Sequence, residues 1–166
     1  MVSFSKYRAG AQDAPLILQL AKEIWLPTFA PLFGDEELRT LFEGMYNDAA
    51  LHDVLTRPSY HMYVLCARRN PTGYMGLEPC AEGYKLDKIY IHPILQGTGM
   101  GAWALAQAEA EARDAGHRSL CLRVNRRNTH AIAFYLHKGF TIDAQADYPA
   151  PNGFVYDDYL MSKIMA

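Results

Sequence analysis

Only three cysteines stand in 166 residues. They are odd in number and show no Cys-x-x-Cys spacing, so a disulfide scaffold is not expected. Cys66 and Cys121 fall inside apolar strand patterns, where buried free thiols are common, and a reducing, cytoplasmic location is the expectation. Long apolar runs are missing too. Nothing approaches the ~18 consecutive apolar residues of a membrane span, and the opening "MVSFSKYRAGAQDA" has no apolar stretch of secretion-signal type; no membrane partner is expected. Basic runs stop at two residues and the formal net charge is -2, which gives a nucleic-acid partner no support. Of the six histidines, only His130 and His137 share a helix face. No metal-ligand spacing appears, and no metal is expected. Repeats, low-complexity tracts and long linkers are also absent, so residues 1–166 read as a single domain.

What is present is a series of short periodic segments. "VSFSKYR" reads as a strand. Asp13 is placed to cap a helix whose first turn takes Pro15 and whose face carries Ile17, Leu20, Ala21 and Ile24. Two prolines in "WLPTFAPLFG" break that pattern, which leaves Trp25, Phe29 and Phe33 in a loop or loose helix. Leu38, Leu41, Phe42 and Met45 mark a second helix, and Leu51, Val54 and Leu55 a short third. "YHMYVLCAR", "YMGLEP" and "YKLDKIYI" read as strands, with a turn at "NPTG". "AWALAQAEAEARDAG" is a strong helix former stopped by Gly116. Then come the strand "SLCLRVN", a helix capped by Asn128 or Thr129 and stopped at Gly139, and two closing strands. The expected architecture is α/β: a mixed sheet of about seven strands flanked by four to five helices, with a β-α-β unit at its middle.

"HPILQGTGMGAW" joins the strand and helix of that unit. Gly97, Gly99 and Gly101 alternate there, opening backbone conformations closed to other residues and letting a ligand approach the main chain. The N–H groups of residues 97–102 would be unpartnered at a helix start, where the dipole favours an anion. A phosphate or pyrophosphate is the natural occupant. The Walker pattern fails for want of Lys and Ser/Thr after the last glycine. Gly97, Gly99 and Ala102 match G-x-G-x-x-A of dinucleotide binders, but the next strand ends "LCLRVN" without the acid that would hold a ribose.

Here the sequence resembles the GNAT superfamily of N-acetyltransferases. Gln96-Gly97-Thr98-Gly99-Met100-Gly101 fits the family's Q/R-x-x-G-x-G/A motif after the strand "IYI". "NRRNTHAIAFYLHKGF" looks like its next motif, with Asn128, Ala131, Tyr135 and Gly139-Phe140 in place. The resemblance implies the GNAT fold, with acetyl-CoA as co-substrate lying between two splayed parallel strands and its pyrophosphate on the glycine turn. Implied cofactor contacts are Ile89, Tyr90, Ile91, Gln96, Gly97, Thr98, Gly99, Met100, Gly101, Ala102, Asn128 and Tyr135.

Acetyl transfer to an amine needs an acceptor for the ammonium proton, a donor to the thioester oxygen, and a proton or hydrogen bond for the leaving thiolate. The resemblance assigns the last to Tyr135 and the second to the backbone N–H of Ile91. For the base, Glu78 and Asp87 are the candidates, with an ordered water as alternative. Strict alternation puts Asp87 on the face of Ile89 and Ile91, opposite Lys88 and Tyr90. Arg126, Arg127 and Lys138 could meet CoA phosphates or simply face solvent. Trp25, Phe29, Phe33 and Glu78 are the candidate acceptor-binding residues. The early helices and the ending "DDYLMSK" resemble the branch with bacterial polyamine acetyltransferases, and Asp35, Glu36, Glu37 and Asp158 could attract a polycation. The expectation is a small-molecule primary amine acceptor and a monomer or homodimer. The alternative is a CoA-binding sensor without turnover.

Overall fold

The computed structural model describes all residues from Met1 to Ala166. Seven strands form one sheet in the order β1-β2-β3-β4-β5-β7-β6: β1 (Phe4–Arg8), β2 (His61–Ala67), β3 (Asn70–Cys80), β4 (Gly83–Ile91), β5 (Ser119–Asn125), β6 (Thr141–Pro149) and β7 (Val155–Ile164). Five α-helices cover it: α1 (Ala14–Phe29), α2 (Asp35–Met45), α3 (Asp48–Thr56), α4 (Met100–Asp114) and α5 (Thr129–His137). Only β4 and β5 pair in parallel; every other pairing is antiparallel.

Period-two alternation sorts the strand residues into two cores. Leu65, Met75, Leu77, Leu86, Leu120 and Leu122 face α4 and α5. Met62, Val64, Cys66 and Tyr74 face α1 to α3. Both faces of the central strands are therefore buried, as a covered sheet requires.

Three local expectations need correction. Trp25 and Phe29 lie within α1, which runs on through Pro27. That proline sits in the last turn, where its missing N–H removes one helical bond and the burial of Trp25 and Phe29, one turn apart, outweighs the loss. Asp13 does not cap α1 with its side chain; its carboxylate accepts from the Gly10 N–H at 2.9 Å. The β2–β3 turn falls on Arg68-Arg69, both at positive φ, rather than on "NPTG". Pro71 is already in β3, opposite an irregularity between Leu65 and Cys66 where its missing N–H is tolerated.

Candidate active site

The parallel pair β4–β5 holds for only three residue pairs, from Tyr84–Leu120 to Leu86–Leu122. Past Leu86 the strands separate. The gap opens a cleft of about 520 Å³, walled by Ile89, Tyr90 and Ile91 of β4, Arg123, Val124 and Asn125 of β5, and the first turns of α4 and α5. Along β4 the His92 N–H donates to Thr72 O at 2.8 Å, on the β3 side. Alternation then turns the N–H groups of Ile91 and Ile89 toward the gap.

The glycine turn forms the cleft's mouth. Gly97 and Gly99 have φ of 78° and 87°, values that explain glycine there, and Gly99 caps α4. The N–H groups of Gly97, Gly99, Met100, Gly101 and Ala102 find no backbone acceptor. Thr98 departs from the expectation: its N–H donates to Leu95 O at 3.2 Å, its hydroxyl donates to the same carbonyl at 2.6 Å, and its side chain is exposed. Met100 contributes main chain only, since its side chain is fully buried in the core. Gln96 and Ala102 line the cleft.

Helix α5 delivers the opposite wall. The Asn128 side chain accepts from the Ala131 N–H at 3.2 Å, capping the helix while bordering the cleft. Tyr135 also borders it, 8% exposed, its ring held edge-on between Phe134 and Phe140 at centroid distances of 5.4 and 5.5 Å. Burial alone pushes its phenol above the ordinary range.

A second hollow of about 280 Å³ adjoins the cleft, and Phe29, Asp87 and Tyr90 line both. Trp25, Phe29 and Phe33 form an apolar wall of it. Asp87 is not where strict alternation puts it. A bulge sets Asp87 and Lys88 together against Gly76 of β3 and turns both toward the α1–α3 side, leaving Ile89 and Ile91 on the other. Asp87 accepts from the Tyr60 hydroxyl at 2.6 Å and pairs with Lys85 at 3.1 Å and Lys88 at 3.3 Å. Burial alone would raise its pKa; the two ammonium groups and Tyr60 outweigh that and hold it well below the usual carboxylate range. Nearby, Arg123 donates to Asp158 through both Nε and Nη2 at 2.9 Å.

Glu78 lines neither hollow. It stands 3.8 Å from Arg57 and opposite Lys85 in the β3–β4 pairing. Arg126 is taken by Asp147 and the Asp158 carbonyl, and Arg127 by Glu37, Asp157 and the Leu32 carbonyl. Lys138 borders the cleft. Of the acidic residues read as a possible attractor, Glu37 and Asp158 thus each carry an arginine, and Asp35 and Glu36 are exposed in the first turn of α2. No pattern in the sequence singles out Tyr60, Lys85, Lys88 or Arg123 as site residues. Away from both hollows, Cys80 and Cys121 bring their thiols to 3.0 Å beside Glu82. With the two cysteines 41 positions apart, spacing could not announce that cluster. Burial, then the contact with Cys80, pushes the Cys121 thiol up to about 12.

The sequence profile of the acetyltransferase (GNAT) family matches residues 18–140. A spermidine N(1)-acetyltransferase of Thermoplasma acidophilum is 23% identical over 140 residues, covering 82% of this chain and 87% of that protein. The crystal structure of the PaiA N-acetyltransferase from the same organism, in complex with coenzyme A, superposes with a TM-score of 0.81 at 21% identity, over 98% of this chain and 99% of the other. A GCN5-related N-acetyltransferase from Rhodopseudomonas palustris gives 0.81 at 16% identity, over 97% and 95%.

Proposed function

The chain belongs to the GNAT family of acetyl-CoA-dependent acetyltransferases, and we propose that it acetylates the primary amine of a small molecule by direct transfer, with Tyr135 as general acid. The observation that carries this reading is the opening of β4 from β5, with five unpartnered N–H groups of the glycine turn at its mouth. A pyrophosphate satisfies those donors and the α4 dipole together. A thioester seated along β4 would meet the Ile91 N–H, which stabilises charge developing on the carbonyl oxygen. The coenzyme A in the Thermoplasma structure supports the same occupant.

The amine nitrogen attacks the thioester carbonyl carbon, the carbon–nitrogen bond forms, and the carbon–sulfur bond breaks. Tyr135 hydrogen-bonds the departing sulfur and supplies its proton, and the proton that the nitrogen sheds as the amide forms is returned through solvent to the phenolate. Asp87 stays anionic at any working pH but is a weak base, because its proton affinity is depressed. It holds the acceptor nitrogen at the wall shared by both hollows, while water takes the ammonium proton. Glu78 has no part in this scheme. The spermidine relative argues for a polyamine acceptor; the charges that line the second hollow argue against one.

Calorimetry with CoA and an acetyl-CoA thiol-release assay over an amine panel test the reading. CoA should bind, and release should depend on added amine. Binding without amine-dependent release from any acceptor would favour a sensor; no binding would remove the reading altogether.

A further inference from the structure

Given acetyl transfer in the cleft, the second hollow bears on what the acceptor carries besides its amine. Three cations face it, Lys85, Lys88 and Arg123, against two carboxylates, Asp87 and Asp158. Arg123 and Asp158 neutralise one another. Asp87 is left to serve two ammonium groups at once, and its Oδ2 already accepts from Tyr60. The Lys88 side chain is only 14% exposed. A cation largely removed from water needs an anionic partner; burial alone would lower the Lys88 pKa, and Asp87 outweighs that and raises it, but this one carboxylate is shared with Lys85. Counted over the side chains that line it, the hollow carries one net positive charge. One wall of it is apolar: Trp25 and Phe29 lie 4.7 Å apart, and Phe29 stacks on Phe33 at 5.6 Å with planes 7° apart.

We infer that the acceptor is an amine that also bears a carboxylate and an apolar side chain, in the manner of a hydrophobic α-amino acid. Its carboxylate meets Lys88, its side chain lies on the Trp25–Phe29–Phe33 wall, and its amine faces the cleft beside Asp87. A polycation would instead bring further positive charge against Lys85 and Lys88, where water screens little.

The test compares L-phenylalanine with phenethylamine, which keeps ring and amine and lacks the carboxylate, and with spermidine. A hydrogen-bonded charge pair of this kind corresponds to roughly 10- to 100-fold. L-Phenylalanine should exceed phenethylamine in kcat/KM by about that factor, and Lys88→Met should bring the ratio toward one. Equal or better turnover of phenethylamine or spermidine overturns the inference and leaves acetyl transfer standing. A ratio unchanged in Lys88→Met overturns the part given to that lysine. Loss of CoA binding in the wild type would sink the transfer reading itself, and this inference with it.

Discussion

At the scale of single residues, the site rests on groups whose proton affinities are moved in opposite directions. Tyr135 is pushed up by burial, which keeps the phenol protonated but makes it a reluctant acid toward a thiolate, whose conjugate acid has a pKa near ~8.5 in cysteine. Much of its help is then hydrogen bonding to charge developing on sulfur. Tyr135→Phe should lower kcat and kcat/KM together by roughly 10², the lower end of general acid catalysis, with CoA affinity retained; wild-type turnover would end the assignment. Asp87 is held down, so it cannot shape the pH profile of the reaction near neutrality. With water as proton acceptor, kcat/KM should climb with pH as the free amine of the acceptor does, and a limb in the ordinary carboxylate range would contradict that. Stability gives an independent measure of Asp87. Below about pH 4 an unfolded aspartate binds a proton that the folded one does not, so stability should fall with falling pH until the depressed folded pKa is passed. Denaturant titrations should show that acid slope reduced in Asp87→Asn, and an unchanged slope would mean that the pairing with Lys85 and Lys88 does not hold in solution.

At the scale of elements, the bulge in β4 does most to shape the second hollow, because it brings Asp87 and Lys88 to one face. It leaves a mark in the sequence that strict alternation ignores: Tyr84 and Leu86 are apolar two apart, then Ile89 and Ile91, with a slip of one residue between the pairs. Trp25, Phe29 and Phe33 show a similar conflict, since their spacing of four is helical while the prolines beside them argue for a loop. In both places a tertiary surface decided between two local signals. The bulge also depends on Gly76. A methyl there would collide with the Tyr60 hydroxyl, displacing the donor that Asp87 accepts. Gly76→Ala should cost about 1–3 kcal/mol in denaturant unfolding, the usual scale for overpacking, and should perturb acceptor KM more than CoA affinity. A variant as stable as the wild type would show that Tyr60 is free to move aside.

At the scale of the whole molecule, the cleft's glycine turn and Tyr135 were legible because their determinants are local: a glycine run between strand and helix, and a tyrosine one turn after Ile132 in α5. The charged cluster beside the second hollow was not, because Tyr60 precedes β2, Lys85 and Lys88 lie on β4 and Arg123 on β5, and they meet only in the folded sheet. The splayed gap lies between the two cores, so a ligand seated in it ties β4 to β5 and should stabilise the entire fold. At a CoA concentration of 100 times Kd the gain is about 2.7 kcal/mol, or roughly 5–10 °C for a domain of this size. Gly101 tells this coupling apart from intrinsic stability. Unlike Gly97 and Gly99 it has no positive φ, and a methyl on it would make only an ordinary contact of 3.7 Å with Phe134. In the first turn of α4 the alanine should raise stability without ligand by a few tenths to about 1 kcal/mol. The same methyl stands where a pyrophosphate must approach the main chain, so it should weaken CoA binding. Thermal melts of Gly101→Ala should therefore start above the wild type and rise less on adding CoA. An undiminished rise would mean that the turn is not where the phosphates sit, even if CoA binds elsewhere along the cleft.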